Sequence, residues 1–93
     1  MTITIYSKPN CVFCDKSKSL VKNLGLTYEE KMFGKDFNTP EELYEAVGKQ
    51  VRTMPQVQID GELIGGYNQL VEYFVEKGKV NYQGQIINEW WRR

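Results

Sequence analysis

Hydrophobic and polar residues alternate along some segments of the chain and recur at helical spacing along others. Residues 2–6, TITIY, alternate and are rich in β-branched side chains, which predicts a first strand. A stripe at helical spacing follows, and it consists of Phe13, Ser17, Leu20, Val21 and Leu24. This stripe predicts a first helix, and Gly25 is the residue expected to end it.

The middle of the chain predicts a second strand and a second helix. Residues 26–33, LTYEEKMF, fit a strand, and residues 34–40, GKDFNTP, fit a loop. Thr39 precedes a proline and is followed three positions later by Glu42, which is the pattern of a capping box. The second helix is therefore expected to start at Pro40.

A hairpin and a third helix complete the pattern. Residues 57–60, VQID, and 62–65, ELIG, predict two short strands joined at Asp60-Gly61, a frequent hairpin turn. After Gly65-Gly66, one face of a third helix is apolar, and its residues are Tyr67, Leu70, Val71, Phe74 and Val75. Gly78 is expected to end this helix.

The predicted element order is β-α-β-α-β-β-α. A strand, helix and strand in succession favour a parallel pair, and the hairpin adds antiparallel strands, so we expect an α/β fold with a mixed four-stranded sheet flanked by helices. We assign residues 1–79 to one domain and residues 80–93 to a short C-terminal extension. In the extension, Ile86, Ile87, Trp90 and Trp91 fit one face of a helix that either packs back on the domain or docks on a partner protein.

Composition excludes several classes of function. The 93 residues contain 12 basic and 12 acidic side chains, so no net charge favours nucleic acid or an anionic membrane. No apolar run is long enough to span a bilayer, and the N-terminus lacks a signal-peptide pattern, so we expect a reducing, cytoplasmic setting. The chain has no histidine, which excludes Cys–His nucleophile pairs. The acidic pairs Glu29-Glu30 and Glu41-Glu42 are interpreted as solvated or helix-start charges.

The two cysteines, Cys11 and Cys14, lie three positions apart where the first strand is expected to turn into the first helix. Helical positions three apart have Cβ atoms roughly 5–6 Å apart. A disulfide has Cα atoms roughly 4.4–6.8 Å apart, so this pair can open and close its bond with little backbone movement. Unpaired amides at the helix start, together with Lys8, favour a thiolate at Cys11. Cys11 is thus the predicted nucleophile and Cys14 the resolving thiol.

Two other interpretations of the pair stay open at this point. A structural staple is uncommon in a reducing compartment, and so short a loop constrains little of the unfolded chain. A zinc site would need two further ligands, and the chain has no other cysteine or histidine. Redox chemistry is the favoured interpretation for this spacing near a βαβ pattern.

Three motifs together resemble the glutaredoxin family. They are the Cys-Val-Phe-Cys segment at 11–14, TMPQVQIDG at 53–61 and LIGGYNQL at 63–70, in the order and spacing of that family. The first and second motifs are most similar to the small glutaredoxins of bacteriophages. The resemblance covers residues 3–77 and implies a thioredoxin fold with a cis peptide bond before Pro55.

The resemblance also implies a glutathione site along one side of the cysteine pair. The backbone of Met54 would pair with the cysteinyl part of glutathione, as an added strand does, and Pro55 would contact the same part. Lys8 and Arg52 would meet the glycine carboxylate, and Thr53 would flank the groove. Phe13 stands where many members have a tyrosine, so the apolar wall is kept and a hydroxyl contact is lost.

The other end of glutathione would lie at the start of the third helix. By resemblance, Gly66, Tyr67 and Asn68 would hold the γ-glutamyl group, since a helix N-terminus suits a carboxylate. Family members often have an aspartate at Asn68 or the next position. Because Asn68 and Gln69 are uncharged, we expect a weaker attraction for the γ-glutamyl ammonium group.

The resemblance implies a monomeric enzyme that uses glutathione as reducing co-substrate, without a metal, to reduce protein disulfides and glutathione mixed disulfides. By similarity to the phage proteins, ribonucleotide reductase is an expected protein substrate. Two alternatives are kept. In one, two chains bridge an iron–sulfur cluster through Cys11 and bound glutathione. In the other, the chain is a thioredoxin-like protein that is reduced by a flavoprotein reductase.

Overall fold

The structure is a computed structural model that describes residues 1–78. The predicted extension at 80–93 lies outside the described residues. The elements are β1 (Ile3–Ser7), α1 (Val12–Asn23), β2 (Glu29–Met32), α2 (Pro40–Val47), β3 (Gln56–Ile59), β4 (Glu62–Gly65) and α3 (Tyr67–Glu76). Their order is the predicted one.

The four strands form one mixed sheet in the order β2-β1-β3-β4. Strand β1 pairs parallel with β2, and β3 pairs antiparallel with both β1 and β4. The sheet and the helix order are those of the thioredoxin fold, which confirms the α/β class. In this arrangement β1 is an inner strand of the sheet. The turn that follows its carboxyl end therefore places Cys11 at that end of the sheet.

The main core lies between one face of the sheet and the helices α1 and α3. Its fully buried members include Ile5, Val21, Val57 and Leu70, each 0% exposed. The apolar stripes predicted for α1 and α3 supply most of the helical part, although Phe13 at the start of α1 is 52% exposed. The core therefore fixes both helices whose N-termini lie nearest the cysteine turn.

A smaller cluster lies on the opposite face of the sheet, under α2. It consists of Tyr6, Phe37, Leu43 and Val47, with Val51, Met54 and Leu63 packed against it. Burial raises the pKa of the Tyr6 phenol, whose hydroxyl donates to Gln58 Oε1 at 3.2 Å. This cluster supports the segment that leads to Met54.

The predicted turn and cap are both present. Asp60 and Gly61 have φ values of 53° and 82°, as a two-residue primed hairpin turn requires. Thr39 Oγ1 accepts from the Glu42 amide at 3.2 Å, and the Glu42 carboxylate accepts from the Thr39 amide at 3.2 Å. Both local signals thus specified the backbone correctly.

Two segments differ from the sequence-based expectation. The strand predicted over 26–33 is limited to Glu29–Met32, because the Leu26 amide bonds to Val21 and the Leu26 and Tyr28 side chains pack against the core. In the predicted loop, Phe37 is only 8% exposed and bridges to Phe33. The loop therefore contributes a core residue.

Glu30 is not the solvated charge that its sequence context indicated. Its carboxylate accepts from Ser7 Oγ at 2.8 Å and from Lys18 Nζ at 2.7 Å, which ties β2 to β1 and α1. The hydrogen bond from Lys18 lowers the pKa of Glu30, and the same bond raises the pKa of Lys18. The Ser7 side chain is fully buried, so Glu30 satisfies its hydroxyl.

We expect Glu30→Gln to lower the free energy of unfolding at pH 7 by about 1 kcal/mol, since hydrogen bonds to a charged group are worth more than neutral ones but this pair is partly exposed. The folded-state pKa of Glu30 lies below its ordinary value. Its contribution is therefore present above that ordinary value and is lost as the pH falls through the folded-state pKa. Urea unfolding at pH 7 and at a pH well below the glutamate range measures this difference.

Glu29→Gln is the matched control for this prediction. Within residues 1–78 the neighbouring Glu29 pairs only with Lys31, and its side chain is 64% exposed, so its loss should change stability little. Equal effects of the two substitutions at pH 7 would contradict the role assigned to Glu30.

In the part of the chain that the structure describes, every helix is too short or too polar to cross a bilayer.

Candidate redox-active site

Cys11 and Cys14 lie at the junction of β1 and α1. Asn10 adopts a left-handed conformation with φ 57°, and Cys11 follows as the N-cap of α1. Asparagine tolerates this conformation better than most residues, so it allows the chain to turn sharply from strand to helix. The two cysteines form a disulfide with a Cα–Cα distance of 5.2 Å, as their spacing predicted.

The two sulfur atoms have different surroundings. Cys11 Sγ accepts a hydrogen bond from the Cys14 amide at 3.1 Å, whereas Cys14 lies inside the first turn. Cys11 is 8% exposed and Cys14 is 1% exposed. An amide aimed at sulfur stabilises a thiolate. The structure therefore places an anion-stabilising donor on Cys11 and gives Cys11 the greater access to a partner.

The segment before β3 approaches Cys11 from the other side. The carbonyl oxygen of Met54 lies 3.8 Å from Cys11 Sγ, and the Met54–Pro55 bond is cis, as the resemblance implied. Pro55 is buried and Thr53 is exposed. An extended backbone edge therefore runs directly beside the disulfide.

Gln56 supports this edge and was missed by the sequence reasoning, which started the strand at Val57. Its side chain is 5% exposed, and Nε2 donates to the Thr53 carbonyl at 2.8 Å and to Thr53 Oγ1 at 3.3 Å. Its position directly after the Thr-x-Pro motif is the signal that would have found it. A buried amide that is satisfied in this way holds the Thr53 backbone in one orientation.

Two grooves meet at Thr53 and Met54, beside the disulfide. The larger, which we call the Lys8 groove, has a volume of about 400 Å³ and is lined by Lys8, Phe33, Phe37, Pro40, Leu43, Tyr44, Val51, Arg52, Thr53 and Met54. The smaller, the Tyr67 groove, has a volume of about 160 Å³ and is lined by Phe13, Thr53, Met54, Pro55, Gly66, Tyr67, Asn68 and Gln69. All nine residues predicted to contact a ligand line one or both.

Charge differs between the two grooves. Lys8 and Arg52 are the charged residues that line the Lys8 groove, and within residues 1–78 neither forms an ion pair. The Tyr67 groove has no charged lining residue. One side of the disulfide therefore presents two cations that are available to an anionic group.

The Tyr67 groove lies at the start of α3. The Phe13 and Tyr67 ring centroids lie 5.8 Å apart, and Tyr67 also packs against the main core, so it both lines the groove and belongs to the core. Gln69 Oε1 accepts from the Gly66 amide at 3.0 Å. A Cβ atom on Gly65, whose φ is 126°, would lie 2.9 Å from Gln69 Cγ, so this close approach requires glycine.

Comparison with known proteins places these features in a family. The family model described as Glutaredoxin matches residues 3–64. A glutaredoxin of Haemophilus influenzae is 34% identical over 71 residues, which cover 71% of this chain and 82% of that protein. The hybrid peroxiredoxin hyPrx5 of the same organism is 41% identical over 73 residues, which cover 78% of this chain but only 29% of that protein.

A solved structure agrees with these relatives. The crystal structure of a buckwheat glutaredoxin–glutathione complex has a TM-score of 0.66 and 27% identity, and the match covers 81% of this chain and 69% of that one. The family match spans β1 to β4, and it includes both cysteines and the Thr-x-Pro segment. The chain therefore belongs to the glutaredoxin family of thiol–disulfide oxidoreductases.

Proposed function

We propose that this protein uses glutathione to reduce protein disulfides and glutathione mixed disulfides. The observation that carries the proposal is the position of the Cys11–Cys14 disulfide at the meeting point of the two grooves, beside the Met54 carbonyl. A ligand that spans both grooves passes directly over Cys11.

The first half of the reaction oxidises the protein. The Cys11 thiolate attacks one sulfur of the substrate disulfide, so a mixed disulfide forms and the other substrate sulfur leaves as a thiolate. The Cys14 thiolate then attacks Cys11 Sγ and releases the second substrate thiolate. Two electrons have passed to the substrate, and the protein is left with the Cys11–Cys14 disulfide that the structure contains.

The second half restores the dithiol. One glutathione thiolate attacks Cys11 Sγ and releases Cys14, and a second glutathione attacks the resulting mixed disulfide at the glutathione sulfur. Cys11 leaves as a thiolate, which the Cys14 amide stabilises at 3.1 Å in the geometry seen here. The products are oxidised glutathione and the reduced protein. Because the Cys14 amide stabilises the Cys11 thiolate, it favours this last departure.

We assign glutathione to the two grooves by the chemistry of their walls. Lys8 and Arg52 receive the glycine carboxylate, while Met54 and Pro55 present the backbone edge to the cysteinyl part. The remaining proposed contacts are Phe13, Thr53, Gly66, Tyr67 and Asn68. Because Gln69 already holds the Gly66 amide, the free amides of the first turn of α3 are the donors for the γ-glutamyl carboxylate.

We further propose the setting in which this activity operates. In this setting the protein acts as a monomer in the cytoplasm. Ribonucleotide reductase remains our proposed protein substrate. The buckwheat complex supports glutathione as a ligand, since its match covers 81% of this chain at a TM-score of 0.66.

Reduction of a small glutathione mixed disulfide, coupled to glutathione reductase, tests the proposal. Steady turnover that depends on glutathione is the expected result. If dithiothreitol supports turnover and glutathione does not, the uncharged Asn68-Gln69 pair has removed glutathione binding, and the choice of reductant is wrong.

The cations of the Lys8 groove give a sharper test of the same proposal. Lys8→Met and Arg52→Met should each raise the KM for glutathione about five- to tenfold, because each removes a charge-assisted contact to a carboxylate worth about 1–1.4 kcal/mol. Steady-state kinetics with glutathione as the varied substrate measures this change.

Lys22→Met is the control, because Lys22 lies in the last turn of α1 and lines neither groove. It should leave the KM unchanged. A KM that responds equally to all three substitutions would show a general effect of net charge and not a site at Lys8 and Arg52.

A further inference from the structure

Exposed apolar side chains are concentrated around the disulfide. Among the described residues, the large hydrophobic side chains that are exposed are Met1, Val12, Phe13 and Phe33. Val12 and Phe13 lie between the two cysteines, and Phe33, at 40% exposure, lines the Lys8 groove. Exposed apolar surface of this kind, gathered at one place, is typical of a protein-docking surface.

The Lys8 groove extends well beyond the residues assigned to glutathione. Lys8, Arg52, Thr53 and Met54 account for one part of its lining. The rest is apolar or aromatic and comprises Phe33, Phe37, Pro40, Leu43, Tyr44 and Val51. A volume of about 400 Å³ is in the range of sites that enclose a bulky ligand group. The part formed by Phe33 and α2 has no assigned occupant in the glutathione reaction.

This apolar wall is held in place by packing. Phe37 is 8% exposed. Its ring centroid lies 6.1 Å from that of Tyr6 and 5.5 Å from that of Phe33, with which it makes a T-shaped pair. The Phe33–Phe37 bridge and the bond from the Gly34 amide to the Phe37 carbonyl fix the intervening turn. A wall fixed before binding loses little conformational entropy when a ligand arrives.

We propose that the Lys8 groove binds the polypeptide of a protein substrate that has a bulky apolar side chain and an acidic side chain near its reactive cysteine. The apolar side chain packs against Phe33 and Tyr44, and the acidic side chain pairs with Lys8 and Arg52. Charge supports this occupant, because both charged residues of the lining are cations. Continuity supports it as well, since Met54 belongs to the same groove and touches Cys11.

This inference rests on the proposed function, and it adds an order of events. Lys8 and Arg52 serve the acidic side chain of the substrate first and the glycine carboxylate of glutathione afterwards. The two ligands therefore bind in succession and not together. The attack of Cys14 on the mixed disulfide frees the groove before glutathione enters. Because both ligands use Lys8 and Arg52, an excess of glutathione should compete with the protein substrate.

Single-turnover reduction of two peptides by the pre-reduced protein tests the groove without glutathione. Both peptides have one cysteine in a mixed disulfide with 2-mercaptoethanol. One has phenylalanine and glutamate close to the cysteine, and the other has serine and glutamine at those positions. We expect the first peptide to react about tenfold faster at subsaturating concentration, which is about 1.4 kcal/mol of selective binding. Equal rates would overturn the proposal.

Phe33→Ser and Tyr44→Ser should remove most of this preference by weakening the binding of the first peptide. Their KM for glutathione should rise much less than that of Lys8→Met, because neither residue is among the proposed glutathione contacts. Tyr73→Ser is the matched control, since Tyr73 is a half-buried tyrosine of α3 that lines neither groove. Phe33→Leu, which keeps an apolar side chain, should retain the preference.

The two proposals fail in different ways. A wild-type protein that discriminates between the peptides but is not turned over by glutathione would disprove the glutathione assignment alone. A protein that glutathione turns over, but that treats both peptides alike, would disprove the groove assignment alone. If Tyr73→Ser removes the preference as fully as Tyr44→Ser does, the effect comes from the fold and the groove assignment is also wrong.

Discussion

Replacing Cys11 with serine is expected to reduce the rate of disulfide reduction by more than about 10³-fold, the scale on which loss of a nucleophile acts. Serine is not ionised at neutral pH and cannot form the mixed disulfide on which both halves of the reaction depend. Cys14→Ser should behave differently. It should still reduce a small glutathione mixed disulfide, because glutathione can resolve the intermediate on Cys11.

The structure gives the reason for this asymmetry. Cys11 Sγ faces the Met54 carbonyl and accepts from the Cys14 amide, whereas Cys14 is 1% exposed. A substrate sulfur can therefore reach Cys11 along the grooves but has almost no access to Cys14. Protein disulfides that need intramolecular resolution should be reduced poorly by Cys14→Ser.

The measurement is the glutathione-reductase-coupled assay on wild type and both variants, with a small mixed disulfide and with a protein disulfide. Thermal unfolding of each variant beside the reduced wild type shows that the fold is intact. Full activity of Cys11→Ser, or equal loss in both variants on the small substrate, would exclude Cys11 as the nucleophile.

The element order could be predicted because each element has a local signal. The capping box at Thr39 and the turn at Asp60-Gly61 act over a few residues, and both formed as expected. Phe37 and Glu30 were misjudged because their surroundings come from distant parts of the chain. Glu30 contacts Ser7, 23 positions away, and Phe37 packs on Tyr6 of β1.

The features of the candidate site also divide into those that have a local sequence signal and those that depend on distant parts of the chain. The spacing of Cys11 and Cys14 at a helix start is enough to predict that the two sulfur atoms can form a disulfide, since the geometry of one helical turn decides their separation. The grooves needed the family resemblance, because no periodicity relates Lys8 to Arg52. The support that Gln56 gives to Thr53 also escaped prediction, since hydrogen bonds of a buried amide depend on the backbone path before β3.

The largest effect on stability is expected from Phe74→Ala. Phe74 is 1% exposed and belongs to the core between the sheet and the helices. It forms a T-shaped pair with Tyr73, with 5.3 Å between the ring centroids. Truncation of a buried phenylalanine costs about 3–5 kcal/mol through lost burial and the cavity left behind. Domains of this size have about 5–15 kcal/mol in total, so the variant should lose about a fifth or more of its stability. Urea unfolding monitored by far-ultraviolet circular dichroism measures the loss.

Phe13→Ala is the matched control, because it deletes the same ring from an exposed position. Phe13 is 52% exposed and lies against Tyr67 in the groove, so its loss should change the free energy of unfolding by less than about 0.5 kcal/mol. The two variants should therefore separate stability from ligand binding. Phe13→Ala should raise the KM for glutathione with little change in unfolding, whereas Phe74→Ala should keep that KM at temperatures where it is folded. Comparable loss of stability in both variants would contradict the separation between the core and the groove.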